Sequence, residues 1–420
     1  MKASLILILL VVMATIPPAS AEILTVSQAE GDYATIQSAL NASSDGDTIQ
    51  IDRGVYAETL LIGKSVLLVG AGEDTVIQPL IWIAPTLHIM ADNVSIVGIR
   101  LVNGSTAIRT MWSENVSIRN CNFEGNGYGI WLGGGGGNSV VDSTFNGNNI
   151  HILLENTVFT TIYQNQLNGG TTGISMVLSG FNNVTENIMA KLEVGISLES
   201  SGDNLIQGND FANCSTGVFS VISGGNRFSG NRVKATQLFL DLRLSSQNEI
   251  AENSFEGEGI YAREKTSGNN LYVLAGFNLT GAEFEFSLFE PSVPEEYVRF
   301  GDGLNLTIVP DVLTNSGGAR LDAVVSWDGI GKMNVSSVGF YSMEGDTLTC
   351  ISGSEMVGDE IRANASIKDS GFYLLLGKKE GVTPGWPKPT EALIVIIAIF
   401  VAVISVGILL AYLQRKKRNR

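Results

Sequence analysis

The sequence predicts an all-β chain, a parallel β-helix solenoid of 22-residue coils followed by a small β-sandwich and one transmembrane helix. Three observations predict the solenoid. Apolar residues recur every 22 positions in three columns. The first reads Ile96, Ile118, Val140, Ile162, Val184, Ile206, Phe228 and Ile250; the second Leu101, Phe123, Phe145, Leu167, Met189, Phe211, Val233 and Phe255. The third is Ile108, Ile130, Ile152, Ile174, Ile196, Val218 and Leu240. Next, a polar column lies between the first two: Cys121, Ser143, Asn165, Asn187, Asn209, Asn231 and Asn253. A fixed period marks repeats that bury their apolar side against their neighbours. Finally, the return segments 179–183, 200–204 and 223–226 are rich in Gly, Ser and Asn. Leucine-rich repeats share the period but need helical or 3₁₀ returns, which such residues oppose. Ile, Val and Phe in the columns suit a pleated surface.

Three short strands per repeat, stacked about 4.8 Å apart, make one coil, and eight such coils give a rod roughly 38 Å long. The polar column has its own reason. Asn tolerates a left-handed bend, and stacked amides hydrogen-bond along the axis as a ladder. Cys121 and Ser143 fill the same slot as smaller polar substitutes, and Ile99 marks where the ladder stops.

Taken in chain order, residues 1–21 read as a secretory signal: Lys2, an apolar run over 5–16, then Ala19-Ser20-Ala21. Residues 22–92 form an N-terminal cap and the first coils, with a short amphipathic helix over 33–42 whose Ile36 and Leu40 share one face. A solenoid needs such a cover over its open core. Residues 93–285 are the regular repeats. In 286–378, alternating runs at 304–309, 320–327, 337–341, 347–352, 361–365 and 371–376 are separated by turn residues and read as a membrane-proximal β-sandwich. Residues 379–391, with Pro384, Pro387 and Pro389, form a stiff spacer. Residues 392–413 are an uncharged apolar stretch long enough to span a bilayer. The basic tail 414–420 then stays cytoplasmic and the large N-terminal part faces outward, a single-pass protein of the cell membrane.

The opening of the repeat region resembles a known group. Tyr33-Ala34-Thr35-Ile36-Gln37-Ser38-Ala39-Leu40, Gly46-Asp47-Thr48-Ile49, Gly54-Val55-Tyr56-Ala57-Glu58 and Lys64-Ser65-Val66-Leu67-Leu68-Val69-Gly70 look like the start of right-handed β-helix proteins of the pectin-esterase and NosD-like groups. The repeats resemble those of carbohydrate-binding and sugar-hydrolase β-helices. This resemblance covers residues 30–285 and implies a right-handed coil. It implies either sugar binding or polysaccharide cleavage, and, through NosD, a copper accessory role.

Charge narrows the partners. There are 26 Lys and Arg against 42 Asp and Glu. Without Lys2 and the five basic residues of the tail, 20 bases face 42 acids, a net charge of −22 on the exported part. Nucleic acid and anionic polymers need clustered positive charge, so this balance argues against them as partners. Asn-x-Ser/Thr sequons begin at Asn41, Asn93, Asn103, Asn115, Asn183, Asn213, Asn278, Asn305, Asn334 and Asn364, candidate glycosylation sites in a secreted chain. This acidic, sequon-rich make-up resembles archaeal envelope proteins. Three cysteines make no disulfide framework, and Cys214 and Cys350 are expected free.

No catalytic residue stands out. Beyond the shared opening, the acid motifs of pectin esterases and polygalacturonases are missing, and glycoside hydrolysis needs two carboxyls within roughly 5–9.5 Å. Copper sites want clustered His, Cys or Met. The two histidines, His88 and His151, have no Cys or Met partner at ligand spacing, and His151 next to inward Ile152 is expected to point outward. No metal and no cofactor are assigned. The five-glycine run 133–137 has no strand–loop–helix context for phosphate and reads as a bulge beside Trp131. The candidate ligand site is the outer face of the third strand stack. Alternation places Arg109, Trp131, His151, Glu155, Glu199, Phe219, Asp241 and Arg243 there, with Glu155 and Glu199 roughly 10 Å apart. Aromatic rings beside carboxylates and arginines suit sugars. The function expected is an anchored rod that binds a polysaccharide or envelope glycan, or neighbouring surface proteins; the alternative is a membrane-tethered polysaccharide lyase or hydrolase.

Overall fold

The computed structural model describes residues 21–256 continuously and a set of strands between 259 and 378. The expected signal up to residue 20, and the spacer, span and tail beyond 378, lie outside the described residues. Among the described residues no helix is long and apolar enough to cross a membrane.

The fold is a parallel β-solenoid. Each regular coil carries three strands, as in Thr161–Tyr163, Gln166–Asn168 and Thr172–Val177. Each strand pairs in parallel with the residue 22 positions on: Ile162 with Val184, Leu167 with Met189, Ile174 with Ile196. The three apolar columns therefore point inward, and Ile118, Phe145, Ile174 and Ile206 have no exposed surface. Neighbouring coils supply each other's core, and rings stack where two aromatics meet, as at Phe123 and Phe145, 4.6 Å apart.

The polar column is a buried ladder. The amide of Asn187 donates from Nδ2 to Asn209 Oδ1 at 3.0 Å, and Asn209 does the same to Asn231 at 3.1 Å. Cys121 N–H reaches Ser143 Oγ at 3.2 Å, and Ser143 N–H reaches Asn165 Oδ1 at 3.0 Å, so both substitutes hold the slot. One expectation needs correction. The ladder residue is not the left-handed one; that conformation belongs to its predecessor, at Asn120, Asp142, Gln164, Glu186, Gly208, Gly230 and Glu252. The bend is made just before the ladder, which leaves the ladder amide free to point inward.

Further ladders close the other corners. Thr160, Asn182, Asn204, Asn226 and Asn248 each donate a backbone N–H to the Asn of the next coil, ending on Asn270. Thr157, Ser179, Ser201 and Ser223 donate in the same way to the next hydroxyl, ending at Ser245. Each corner turns the chain inside a low-dielectric core, where unpaired backbone groups are costly.

His151 is a second correction. It is fully buried, not outward. The third strands open with two successive inward residues, Gly129 and Ile130, His151 and Ile152, Gly195 and Ile196, and the pairing skips the first of each pair. Alternation fails at that point. Glycine suits the position because a Cβ on Gly129 would lie 3.0 Å from Phe145, and one on Gly195 2.7 Å from Phe211. The five-glycine run is no bulge either. Gly133 pairs with Glu155 and Gly136 with Val158, so it is an ordinary corner stripped of side chains.

The N-terminal cap is the helix Ile36–Ala42, which buries Ile36, Ala39 and Leu40. Thr35 caps it by accepting from Ser38 N–H at 3.2 Å. Glu58 accepts from the first two free amides, Ile36 at 2.9 Å and Gln37 at 3.0 Å. Lys64 donates to the last carbonyls, Leu40 at 3.2 Å and Asn41 at 2.9 Å. Opposite charges thus sit at the two ends of the helix dipole.

At the other end the strands expected for a β-sandwich are present, but they do not form a unit apart. Phe277–Ala282 pairs antiparallel with Asn270–Leu274, and Phe284–Phe289 with Ile260–Lys265. Both solenoid sheets thereby continue, the first through Gly318–Ser326 and Glu360–Ile367, the second through Gly303–Ile308, Gly371–Lys378 and Gly339–Glu344. Phe286, Leu321, Phe340 and Tyr373 belong to the same apolar core as the coils. The last coil would otherwise leave two open sheet edges, and these strands cover them.

Candidate functional site

The third strand stack presents two outward columns. In the first, Arg109, Trp131, Leu153, Ser175, Ser197, Phe219 and Asp241 follow one another in register. In the second, Gly133, Glu155, Val177, Glu199, Val221 and Arg243 do so. Glu155 and Glu199 are two coils apart, roughly 10 Å by strand spacing, as the repeat predicts. The period places all the expected site residues on this face except His151.

They form two clusters and one isolated residue. At one end the Arg109 guanidinium lies over the Trp131 ring at 4.2 Å, and Trp131 Nε1–H donates to Glu155 Oε2 at 3.0 Å. Tyr128 leans on Trp131 with ring centroids 5.3 Å apart. Trp131 is therefore half-buried, held by Arg109 and Glu155, rather than the open platform expected. At the other end Arg243 lies over Phe219 at 4.9 Å and grips Asp241 with two bonds, 2.7 and 3.2 Å. The Asp241 side chain is nearly closed off, and its hydrogen bond pushes Arg243 above its usual basicity. Between the ends, Leu153, Ser175 and Ser197 make a low floor, and Glu199 stands exposed beside it. The aromatic–guanidinium pairs are four coils apart, about 19 Å.

Sequence reasoning missed His88 and Tyr128. His88 pairs with Arg109 and so joins the first column after Leu61, but only 21 residues separate it from Arg109. The period had not yet settled, which hid it. Tyr128 begins its strand and its side chain reaches Trp131 from outside the columns that alternation picks out.

Of the sequon asparagines, Asn41, Asn93, Asn103, Asn115, Asn183 and Asn213 are exposed. Asn278, Asn305 and Asn364 lie on strands, and Asn334 falls outside the described residues. The Cys121 and Cys214 thiols are buried, and Cys350 is exposed.

Solved structures similar to this chain include a polygalacturonase from Erwinia carotovora, 12% identical, matching 59% of this chain and 98% of that one with a TM-score of 0.47. An alginate lyase from Paenibacillus is 13% identical over 59% of this chain and 94% of that one, TM-score 0.44. An Acinetobacter phage tailspike is 13% identical over 84% and 86%, TM-score 0.41. Likeness at this level carries no chemistry across. No curated protein matches the chain.

A family model described as periplasmic copper-binding protein (NosD) matches residues 40–213 and 151–285. The donors on this chain do not fit a copper ion. Among the described residues, no three His, Cys, Asp or Glu come together as a metal site. Burial pushes the Cys121 and Cys214 thiols up to about 11, away from the thiolate that binds metal. Burial also lowers His151 to about 4, and Asn148 Nδ2 sits 3.0 Å from its Nδ1. His88 is lowered by burial and by the charge of Arg109, which would also repel a cation. The fold and the matched residues, more than half of the sequence, nevertheless settle the kinship: the chain belongs to the NosD family.

Proposed function

We propose that the protein is a membrane-anchored, glycosylated surface rod that binds an extended glycan across its third strand stack. The observation that carries this is the pair of aromatic–guanidinium contacts, Arg109 on Trp131 and Arg243 on Phe219, bounding a floor of Ser175 and Ser197 with Glu199 beside it. A stiff stack of parallel strands fixes these groups without loops, so little ordering opposes binding. Rings and aliphatic stems meet the apolar faces of sugars, while guanidinium, carboxylate and hydroxyl groups meet their hydroxyls. The net negative charge favours a neutral chain over a polyuronate. The predicted signal and span put this face outside the cell with the tail inside.

The test is to present the exported part to neutral and uronate-containing polysaccharides and measure both retention and product release. Retention on a neutral glycan without product is the expected result. Product release would replace binding with the lyase or hydrolase reading, and no retention on any polysaccharide would leave only the role of a scaffold for neighbouring surface proteins.

A further inference from the structure

The corner leading from each third strand into the next coil carries side chains that neither packing nor backbone geometry asks for. Trp112, Phe159, Leu178, Phe181, Ile222 and Leu244 all have φ between 50 and 56°. The same six are 53–72% exposed. A bulky or β-branched residue in the left-handed region is strained, and an exposed apolar side chain forgoes burial. Other turns of the same corner relieve the strain with Gly134, Gly137, Asn156 and Gly225.

The order of these corners along the rod is self-complementary. We propose that the protein pairs with a second copy of itself along this edge, the two rods antiparallel about a two-fold axis between the corners 155–160 and 177–182. That axis sets Phe159 and Phe181, already stacked at 5.7 Å within one chain, against the same two rings of the other copy. The corner of Trp112 then faces that of Ile222. The corner 133–138, five glycines and Asn138, faces 199–204, the corner with the two acids Glu199 and Asp203. Glu114 meets the corner of Gly224 and Gly225, and Glu155 meets that of Val177. Every acid-bearing corner therefore faces one without an acid, which matters in a chain with 42 acids against 26 bases. One coil further out, Arg243 and Leu244 face the corner of Asp92 and Met90. A patch that matches itself under a two-fold is what an isologous dimer requires. The pairing also demands that the sequons Asn93 and Asn115, both exposed on this edge, carry no glycan.

The test uses the full chain in detergent. Light scattering across a dilution series should show a dimer, and Phe181→Asn and Ile222→Asn should each weaken it at least tenfold. Because Asn sits more easily at positive φ, both variants should also raise the melting temperature of the monomer. For register, Trp112→Cys and Ile222→Cys chains, each in a Cys350→Ser background, should form a disulfide when mixed and not when alone. A monomer at every concentration, Trp112→Cys chains that cross-link to themselves, or a glycan on Asn93 or Asn115 would each overturn the proposal.

Discussion

Asn209 uses its whole amide. Its Nδ2 donates to Val184 O at 2.8 Å, and its Oδ1 accepts from the Asn187 backbone N–H and from Asn187 Nδ2, both at 3.0 Å. Replacing it with Leu strands these partners in the core, at about 1–3 kcal/mol each, so Asn209→Leu should lower stability by about 3 kcal/mol or more. An unchanged melting temperature would contradict the ladder. His151 tests the interior in another way. Burial holds it at about 4, below its ordinary 6.5, so the folded chain keeps it neutral. As pH falls below 6.5 the unfolded chain takes up a proton that the folded one refuses. Stability should therefore drop by up to about 3 kcal/mol by pH 4, and remain whole above the unfolded value. His151→Phe, the residue type its column holds at Phe239, should remove that part of the acid slope in denaturant titrations. A parent and variant with the same slope would show that His151 does not titrate as described.

Among the elements, the cap helix is too short to hold itself, and its stability rests on Glu58 and Lys64. Glu58→Gln should cost about 1–2 kcal/mol locally, read as faster hydrogen exchange at the Ile36 and Gln37 amides while the coils stay protected. Exchange unchanged at both amides would remove Glu58 from this role. The sequence showed the strands plainly, because stacking repeats one residue type wherever a column points inward, as from Ile108 to Leu240. It showed the corners poorly. Their left-handed positions accept Trp112, Gly134, Asn156, Leu178, Ser200 and Ile222 in turn, so no column appears. The ladders from Asn182 to Asn270 and from Thr157 to Ser245 do keep the period, yet their residues are also turn formers and blend with turn composition. His151 was misplaced because two inward neighbours in succession break the alternation that assigns faces. At the site, the period placed Trp131, Glu155, Glu199 and Arg243 on one face, but which of them touch is decided by rotamers that no spacing encodes.

For the whole molecule, the solenoid is a stiff rod whose ends are covered by the helix and by the antiparallel strands, so its long faces are what it offers to partners. Protease added to intact cells should remove the exported part and leave a short membrane-held fragment; complete protection would contradict the outward orientation. The most direct measurement of the proposed glycan binding is retention of the parent protein on a neutral polysaccharide, compared with Trp131→Ala and Glu199→Ala. Glu199 is exposed and Trp131 half-buried on the outer face, so neither change should unfold the coil. Loss of Trp131 frees Arg109 and Glu155, and loss of Glu199 removes the carboxylate beside the serine floor. The account predicts roughly tenfold weaker retention for each at an unchanged melting temperature, the scale of one lost contact of about 1.4 kcal/mol. Both variants binding as tightly as the parent would show that the third strand stack is not where the glycan sits.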